Sequence, residues 1–530
     1  MESPVVSTSY GQLCGLIEKS FEGYNYYAFK GVPYAKPPIG DLRFEEPQLL
    51  IPWEGIREAK NFGSPCAQFD QLTRTFIGSD DCLYLNIYTK NLRKTLPVMV
   101  WIHGGAYTFG CGDDMFYGSD YLLKNDIVLV TVNYRVGVLG FFNLEDEIAP
   151  GNQGLKDLVF ALKWIQLNIS KFGGDSSNVT IFGESSGGAS VNYLGLSPMA
   201  KGLFHKAISQ SGVALNTWAS TPNPRSYGFK LCKILGQDLH DSREAIAFLR
   251  KIDCLKLAKM QEKMRTLEER FQLLYPFGPG TDSKAKNPFM PIPIEIAAEN
   301  GMNVPYLVGF NEKEGNYSYY TVKSHPLKDI CKNFVEYLHP NIKVTLKKHK
   351  LTPYDLRTLY KCHDDDLTEE NYCEKIADLL EDMYLVEGVH RMIKHQVNNN
   401  TSPVYYYKFT YDKGVSFTKL MLNIQRRGAS HFDELSYLFS MRFNELLGIE
   451  PLQKGTESYR LMEQMTEMWT NFAKFGRPTI DASNLIKTNW VPVTNPTLLR
   501  FLEIGESLKM DCTINIDQKL SYSNSFKNKL

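Results

Sequence analysis

The chain predicts an α/β fold, with a mostly parallel central sheet, helices on both faces and an antiparallel N-terminal edge. Three observations carry this. Short apolar runs bounded by turn residues alternate with amphipathic helical patterns, as crossover connections between parallel strands require. The segment YNYYAFKGVPYA (residues 24–35) is aromatic and β-prone without a following helical pattern, which suits antiparallel edge strands. A buried strand pattern, VTIF (179–182), runs straight into a glycine-flanked turn and a helix at GESSGGAS (183–190).

In chain order, PVMVWI (97–102) and IVLVTV (127–132) read as buried strands. GLKDLVFALKWIQLNISKFG (154–173) follows, with Leu155, Leu158, Val159, Leu162, Ile165 and Ile169 at helical spacing and Gly173-Gly174 as its stop. After VTIF and its helix come the strands YLVGF (306–310) and VYYYKF (404–409), then a second long amphipathic helix, YRLMEQMTEMWTNFAKFG (459–476). No repeat, low-complexity tract or linker divides the chain. Residues 1–530 are therefore expected to form one domain, because large α/β enzymes can keep a single sheet over this length.

Bulk properties exclude several classes. The 59 basic and 59 acidic residues cancel, so nothing electrostatic points to nucleic acid or an acidic lipid surface. The runs KKHK (347–350) and HDDD (363–366) read as solvated faces. No apolar run reaches the ~18 residues needed to cross a bilayer. The N-terminus lacks the basic and apolar regions of a signal peptide, which predicts a cytoplasmic protein, with secretion the alternative if that end is processed or trimmed. Ten cysteines without Cys-x-x-Cys or His/Cys ligand spacing suggest neither a disulfide scaffold nor a metal site. Five sequons, at Asn168, Asn178, Asn316, Asn399 and Asn400, are expected to be unused in that compartment.

Gly183-Glu184-Ser185-Ser186-Gly187 fits Gly-x-Ser-x-Gly, which lifts a serine hydroxyl on a strained strand-to-helix turn. A serine needs a base to take its proton and a carboxylate to orient that base. In the order usual for this motif, acid and then base follow the serine. Among the ten histidines, His103 and His205 fall too early or too near the turn, His349 and His363 sit in charge runs, and His390 and His395 lie in a helical stretch. His431 lies on a small-residue loop, RGASHFDELSYLF, just before an apolar run. For the acid, YLVGFNEKEGNY ends a buried strand with Glu312 and Glu314, which the residues alone do not separate. Backbone donors for an oxyanion come from a second loop, HGGA (103–106), directly after a strand, and from the amide after the serine. Together these predict a serine hydrolase that needs no metal and no cofactor.

The same residues carry a family resemblance. FKGVPYAKPPIGDLRFEEP, SDDCLYLNIY, VMVWIHGGAY, VNYRVGVLGF, FGGDSSNVTIFGESSGGAS, GLFHKAISQSG and GASHFDELSYLF resemble the type-B carboxylesterases of the cholinesterase family almost end to end. TLEERFQLLYPFGPGTD points to the insect detoxification branch. The resemblance implies an α/β-hydrolase fold with Ser185 as nucleophile, Glu314 as acid and His431 as base. Gly105, Ala106 and Ser186 would donate to the oxyanion, and Trp218 and Tyr317 would line the acyl pocket. It also implies ion pairs Arg43–Asp80 and Arg135–Asp157, and pairs Cys66 with Cys82, a bridge that need not form in a reducing cytosol. The substrates implied are small to medium hydrophobic esters, xenobiotic or lipid-like, with sequestration of organophosphates alongside turnover. The resemblance leaves the oligomeric state open between monomer and homodimer.

Four departures refine this reading. Ser186 stands where the family usually has alanine, and Ala106 where glycine is common; both keep the backbone N–H. The Ser186 hydroxyl is expected to be satisfied by local backbone. The loop between Cys66 and Cys82 holds no tryptophan, which argues against choline esters, whose cation would need an aromatic face there. Glu184, where juvenile hormone esterases usually carry glutamine, argues against that branch. A juvenile-hormone or semiochemical esterase and a slow-turnover ester-binding protein remain the alternatives.

Overall fold

The computed structural model describes residues 3–520 except 72, 324–336, 362–367, 400–401 and 481–482. The HDDD run with His363, Asn400 and the terminal KNKL lie outside the described residues. Eleven strands form the main sheet: β1 (Leu16–Lys19), β2 (Asn25–Pro33), β3 (Tyr84–Thr89), β4 (Leu96–Ile102), β5 (Val128–Val132), β6 (Gly174–Glu184), β7 (Lys206–Gln210), β8 (Tyr306–Asn311), β9 (Val404–Phe409), β10 (Leu498–Ile504) and β11 (Leu508–Ile514). Their spatial order is β1-β2-β3-β5-β4-β6-β7-β8-β9-β10-β11. Neighbours from β5 to β10 pair in parallel, while β1, β2, β3 and β11 pair antiparallel at the two edges. The expected antiparallel N-terminal edge is present, and the C-terminal edge has one as well.

Alternation along β4 shows why both faces must be covered. Val98, Val100 and Ile102 join one apolar cluster, and Met99 and Trp101 join the other. Helix α1 (Gln153–Asn168) packs Leu155, Leu158, Val159, Leu162 and Ile165 into the first cluster. Helix α2 (Ser186–Leu196) covers the same face. A long C-terminal helix, α3 (Glu457–Phe475), lays Leu461, Met462, Met465, Met468, Trp469 and Phe472 into the second. Each such side chain, fully buried, stabilises the fold by roughly 1.5–3 kcal/mol. Helix α3 starts where the Thr456 side chain accepts the Tyr459 N–H and stops at Gly476, φ 72°.

Strand β6 is longer than the VTIF run because Gly174 and Asp175 also pair with β4, with a register shift before Val179. Arg135 and Asp157 form the expected buried pair, Nη2 to Oδ1 2.7 Å, and Arg43 pairs with Asp80. Cys66 and Cys82 are bridged. Among the described residues no helix is long and apolar enough to cross a membrane.

Candidate active site

The parallel strands end on one side of the sheet, and β6 delivers Ser185 there. Ser185 adopts φ 56°, ψ −125° between the last residue of β6 and the first of α2. That geometry needs close backbone approach. A Cβ on Gly187 would stand 2.0 Å from the Ile102 carbonyl oxygen, and one on Gly183 2.6 Å from the same atom. The Ser185 N–H donates to the Gln210 carbonyl on β7 at 2.8 Å, which fixes the turn to its neighbouring strand.

Glu314 and His431 meet at this point. His431 Nδ1 lies 2.6 Å from Glu314 Oε2. The other carboxylate oxygen, Oε1, accepts from the Ser211 hydroxyl at 2.5 Å and from the Asn311 N–H at 2.8 Å. Glu314 is 6% exposed, whereas Glu312 is half-buried and its N–H donates to Phe409 on β9. The turn after β8 therefore folds Glu314, not Glu312, back towards the histidine loop. Asn316 ties that turn to the loop through Ser430 Oγ at 2.8 Å, and Asn311 Nδ2 donates to the Ser430 carbonyl at 2.7 Å.

A second carboxylate flanks the ring. His431 Nε2 lies 3.0 Å from Glu184 Oε1, within ion-pair range but off the hydrogen-bond direction. Burial, the largest influence on His431, favours the neutral ring, but the charges of Glu184 and Glu314, with the hydrogen bond to Glu314, outweigh it. The His431 pKa is held well above that of an ordinary imidazole. Burial also raises the pKa of Glu184, against the pull of His431. Behind both lies Glu434, fully buried, accepting from Gln210 Nε2 at 3.0 Å and Asn311 Nδ2 at 2.5 Å. Burial, then the charges of Glu184 and Glu314, push it up to about 8.

The HGGA loop abuts the serine: a Cβ on Gly104 would lie 3.1 Å from Ser185 Cβ. Gly105 has φ 110°, and a Cβ there would stand 2.1 Å from the Phe109 carbonyl oxygen. Ala106 has φ 52°. Among the described residues, neither the Gly105 nor the Ala106 N–H donates to a protein acceptor. Ser186 opens α2, where the first N–H groups have no intrahelical partner. Its hydroxyl corrects the expectation: it is buried without a hydrogen-bond partner, beside the Tyr134 phenol, rather than satisfied by local backbone. His103 is wholly buried, stacks on Tyr134 at 4.5 Å and lies 2.8 Å from the Gly104 carbonyl; burial lowers its pKa to about 4, so it is a neutral turn residue.

Tyr317 lies with its ring centroid 5.8 Å from that of His431. Trp218 is 8% exposed in the turn Thr217–Ala219 and packed into the first apolar cluster. His349, expected on a solvated face, is instead partly buried and 3.3 Å from Asp517. His390 is a satisfied core histidine between Tyr406 and the Ile516 N–H. The sequons at Asn168 and Asn316 are buried. Sequence reasoning missed Glu184 as a partner of His431, and Ser211, Asn311 and Glu434 entirely. For Glu184 and Asn311 the signal was position, at the end of a strand legible in the sequence; Ser211 and Glu434 carried none. Among the described residues no group of three or more His, Cys, Asp or Glu could hold a metal ion.

The sequence model of the carboxylesterase family matches residues 2–522. Esterase FE4 of Myzus persicae is 34% identical over 526 residues, covering 95% of this chain and 90% of that protein. The juvenile hormone esterase of Tribolium castaneum is 33% identical, covering 90% of this chain and 84% of that protein. The liver carboxylesterase of Sus scrofa is 34% identical, covering 90% and 86%. Among solved structures, the juvenile hormone esterase of Manduca sexta with OTFP covalently attached aligns over 100% of both chains, with TM-score 0.85 and 28% identity. The chain belongs to the carboxylesterase family and is a carboxylic ester hydrolase with an α/β-hydrolase fold.

Proposed function

We propose that Ser185, His431 and Glu314 form the catalytic triad, and that the enzyme works through an acyl-enzyme on hydrophobic esters. The observation that carries this is the 2.6 Å contact between His431 Nδ1 and Glu314 in the loop beside the strained serine turn. His431 takes the Ser185 proton as Oγ attacks the ester carbonyl, and the oxyanion forms facing the N–H groups of Gly105, Ala106 and Ser186. The intermediate collapses with loss of the alcohol, which receives its proton from His431. Water, deprotonated by the same histidine, then releases the acid and frees Ser185. Glu314 holds the ring in the Nδ1–H tautomer and stabilises the imidazolium. Substrates are small to medium esters of xenobiotic or lipid-like character, with slow dephosphorylation making organophosphates sequestered ligands.

Ser185→Ala tests the reading. It should lower kcat by about 10⁶, the scale found when a serine-protease nucleophile is removed. It should also abolish covalent labelling by an organophosphate. Wild-type turnover in Ser185→Ala overturns the mechanism. A second reading, a juvenile-hormone or semiochemical ester as substrate, gains support from the Tribolium castaneum and Manduca sexta relatives. A panel crossing acyl length with alcohol bulk separates the two readings.

A further inference from the structure

The loop offered as oxyanion donor holds a conformation that it would not choose alone. Among residues 103–110, four have positive φ: Gly105 at 110°, Ala106 at 52°, Tyr107 at 59° and Gly110 at 113°. Strained backbone of this kind persists only where its surroundings over-determine it. Some of the restraints act within the loop. The Thr108 and Phe109 N–H groups both donate to the Gly105 carbonyl, at 2.9 and 3.1 Å. That carbonyl and the Ala106 N–H belong to one planar peptide, so fixing the first aims the second. The Gly104 carbonyl shares a peptide with the Gly105 N–H and is backed by Gly110. A Cβ on Gly110 would stand 2.6 Å from that oxygen and 2.3 Å from His103 Nδ1. Both donor peptides therefore lean on residues 109–110.

What holds those two residues comes from elsewhere in the chain. Gln68 lies inside the loop closed by the Cys66–Cys82 bridge, in a two-residue strand paired with Phe76–Ile77. It is 4% exposed and meets Gly110 twice: Oε1 accepts the Gly110 N–H at 2.6 Å, and Nε2 donates to the Gly110 carbonyl at 2.9 Å. Nε2 also donates to the Cys66 carbonyl at 2.9 Å, which ties the amide to the bridged loop. Three bonds, one through the oxygen and two through the nitrogen, leave the amide a single orientation. The side chain does for Gly110 what a neighbouring strand would. We propose that Gln68 is a positioning residue for ester hydrolysis: it anchors Gly110 and thereby sets the direction of the Gly105 and Ala106 N–H groups towards the oxyanion. The inference rests on the proposed triad and donor set. Gln68 acts through Gly110 and touches no substrate.

Gln68→Leu removes the three bonds while keeping a side chain in the space. The readout is kcat for a short-chain 4-nitrophenyl ester, per active site counted by organophosphate titration, so that unfolded enzyme does not enter. It should fall roughly 10- to 100-fold with KM nearly unchanged, since donors are misaimed rather than lost, and outright loss of one costs about 10²–10³. Affinity for an alkyl trifluoromethyl ketone, whose hemiketal adduct with the serine carries an oxyanion, should fall by the same factor, as expected of a transition-state analogue. Gln68→Asn, too short to reach both groups of Gly110, should move both readouts in the same direction, and it decides the outcome if the leucine protein does not fold. A merely structural glutamine would lower Tm and leave kcat per site and ketone affinity unmoved. That result, or a fall in kcat without the matching loss of ketone affinity, overturns the proposal. Failure of the triad reading looks different: the wild-type enzyme would then take up no organophosphate at Ser185, before any change at Gln68.

Discussion

Glu184→Gln isolates the second carboxylate on His431. In the proposed mechanism the neutral ring is the base, so kcat/KM should rise with pH through the His431 pKa and then level off. An ordinary histidine titrates near neutrality. The two flanking carboxylates instead place the His431 pKa well above 6.5. Glu184 Oε1 is 3.0 Å from Nε2. A full unit charge at that distance contributes about 5 kcal/mol at an effective dielectric near 20. Burial raises the Glu184 pKa as well, so part of its charge is lost before His431 titrates, and the glutamine dipole replaces part of the rest. The midpoint should therefore move down. The sign is fixed: removing a negative neighbour lowers the imidazolium pKa, so the variant keeps a neutral base at lower pH. The assay is kcat/KM for a neutral ester in wild type and Glu184→Gln across roughly pH 5 to 9, at constant ionic strength. The midpoint is read rather than the plateau, because losing Glu184 also weakens the imidazolium formed in the transition state. An unmoved midpoint, or one that moves up, refutes the two-carboxylate account of His431.

The other expectations are smaller in scope. Ala106→Gly removes a side chain from a left-handed residue, φ 52°, and should raise stability by about 1 kcal/mol. It also removes a methyl from the proposed oxyanion loop, so kcat/KM for a tertiary-alcohol ester should improve by roughly 10- to 200-fold while a primary ester barely changes; equal changes for both esters count against a steric role. Asp157→Asn leaves Arg135 buried beside a neutral partner and should cost about 3–5 kcal/mol in urea denaturation, and a loss below about 1 kcal/mol would place the pair among those of little worth. Glu381, which accepts the Gly315 N–H at 3.1 Å, is pushed up to about 8 from 4.5 chiefly by burial. Its contribution is complete below the unfolded value and lost as pH rises through about 8, so the Tm advantage of Glu381→Gln should grow between those limits and then stay flat. A constant difference in Tm from pH 5 to 9 contradicts the shift.

What could be read without coordinates was whatever is local. The strand–serine–helix turn lies within one short segment, and its glycines announce the close approach that the Ile102 carbonyl demands. His431 emerged because acid and base follow the serine in order and the other histidines had plainer roles. Between Glu312 and Glu314 the residues were silent, since the decision depends on β9, which captures the Glu312 N–H, and on Ser211 from β7, which donates to Glu314. Strand β7 escaped notice for a related reason. Lys206-Ala-Ile-Ser-Gln lacks an apolar run, yet Ser209 and Gln210 are fully buried because Gly188, Glu434 and Trp469 meet their hydrogen-bonding groups. Periodicity reports burial of apolar atoms; it does not see polar atoms buried with partners from distant segments.

Backbone strain shows the same division of labour between local and distant forces. Of the fourteen described non-glycine residues with positive φ, Ala106, Tyr107, Ser185, Ser211 and Phe432 all stand at the serine, the oxyanion loop, the acid or the residue after the base. Each costs about 1–3 kcal/mol and persists only where its surroundings over-determine it. Phe432, φ 80°, is held by rings of Phe116, Phe417 and Tyr117 at 5.7, 5.2 and 6.5 Å. Tyr107 is wholly buried, with its carbonyl accepting the Gly137 N–H at 2.5 Å. Ser211 is fixed by its hydroxyl on Glu314 and its N–H on Gly309 at 2.8 Å. The anchors come from parts of the chain far from the strained residues. Rigid aromatic and strand packing thus holds the donor loop, the serine and the histidine in conformations that none of these segments would favour alone. Loosening an anchor such as Phe417 should therefore disturb His431 before it disturbs the fold.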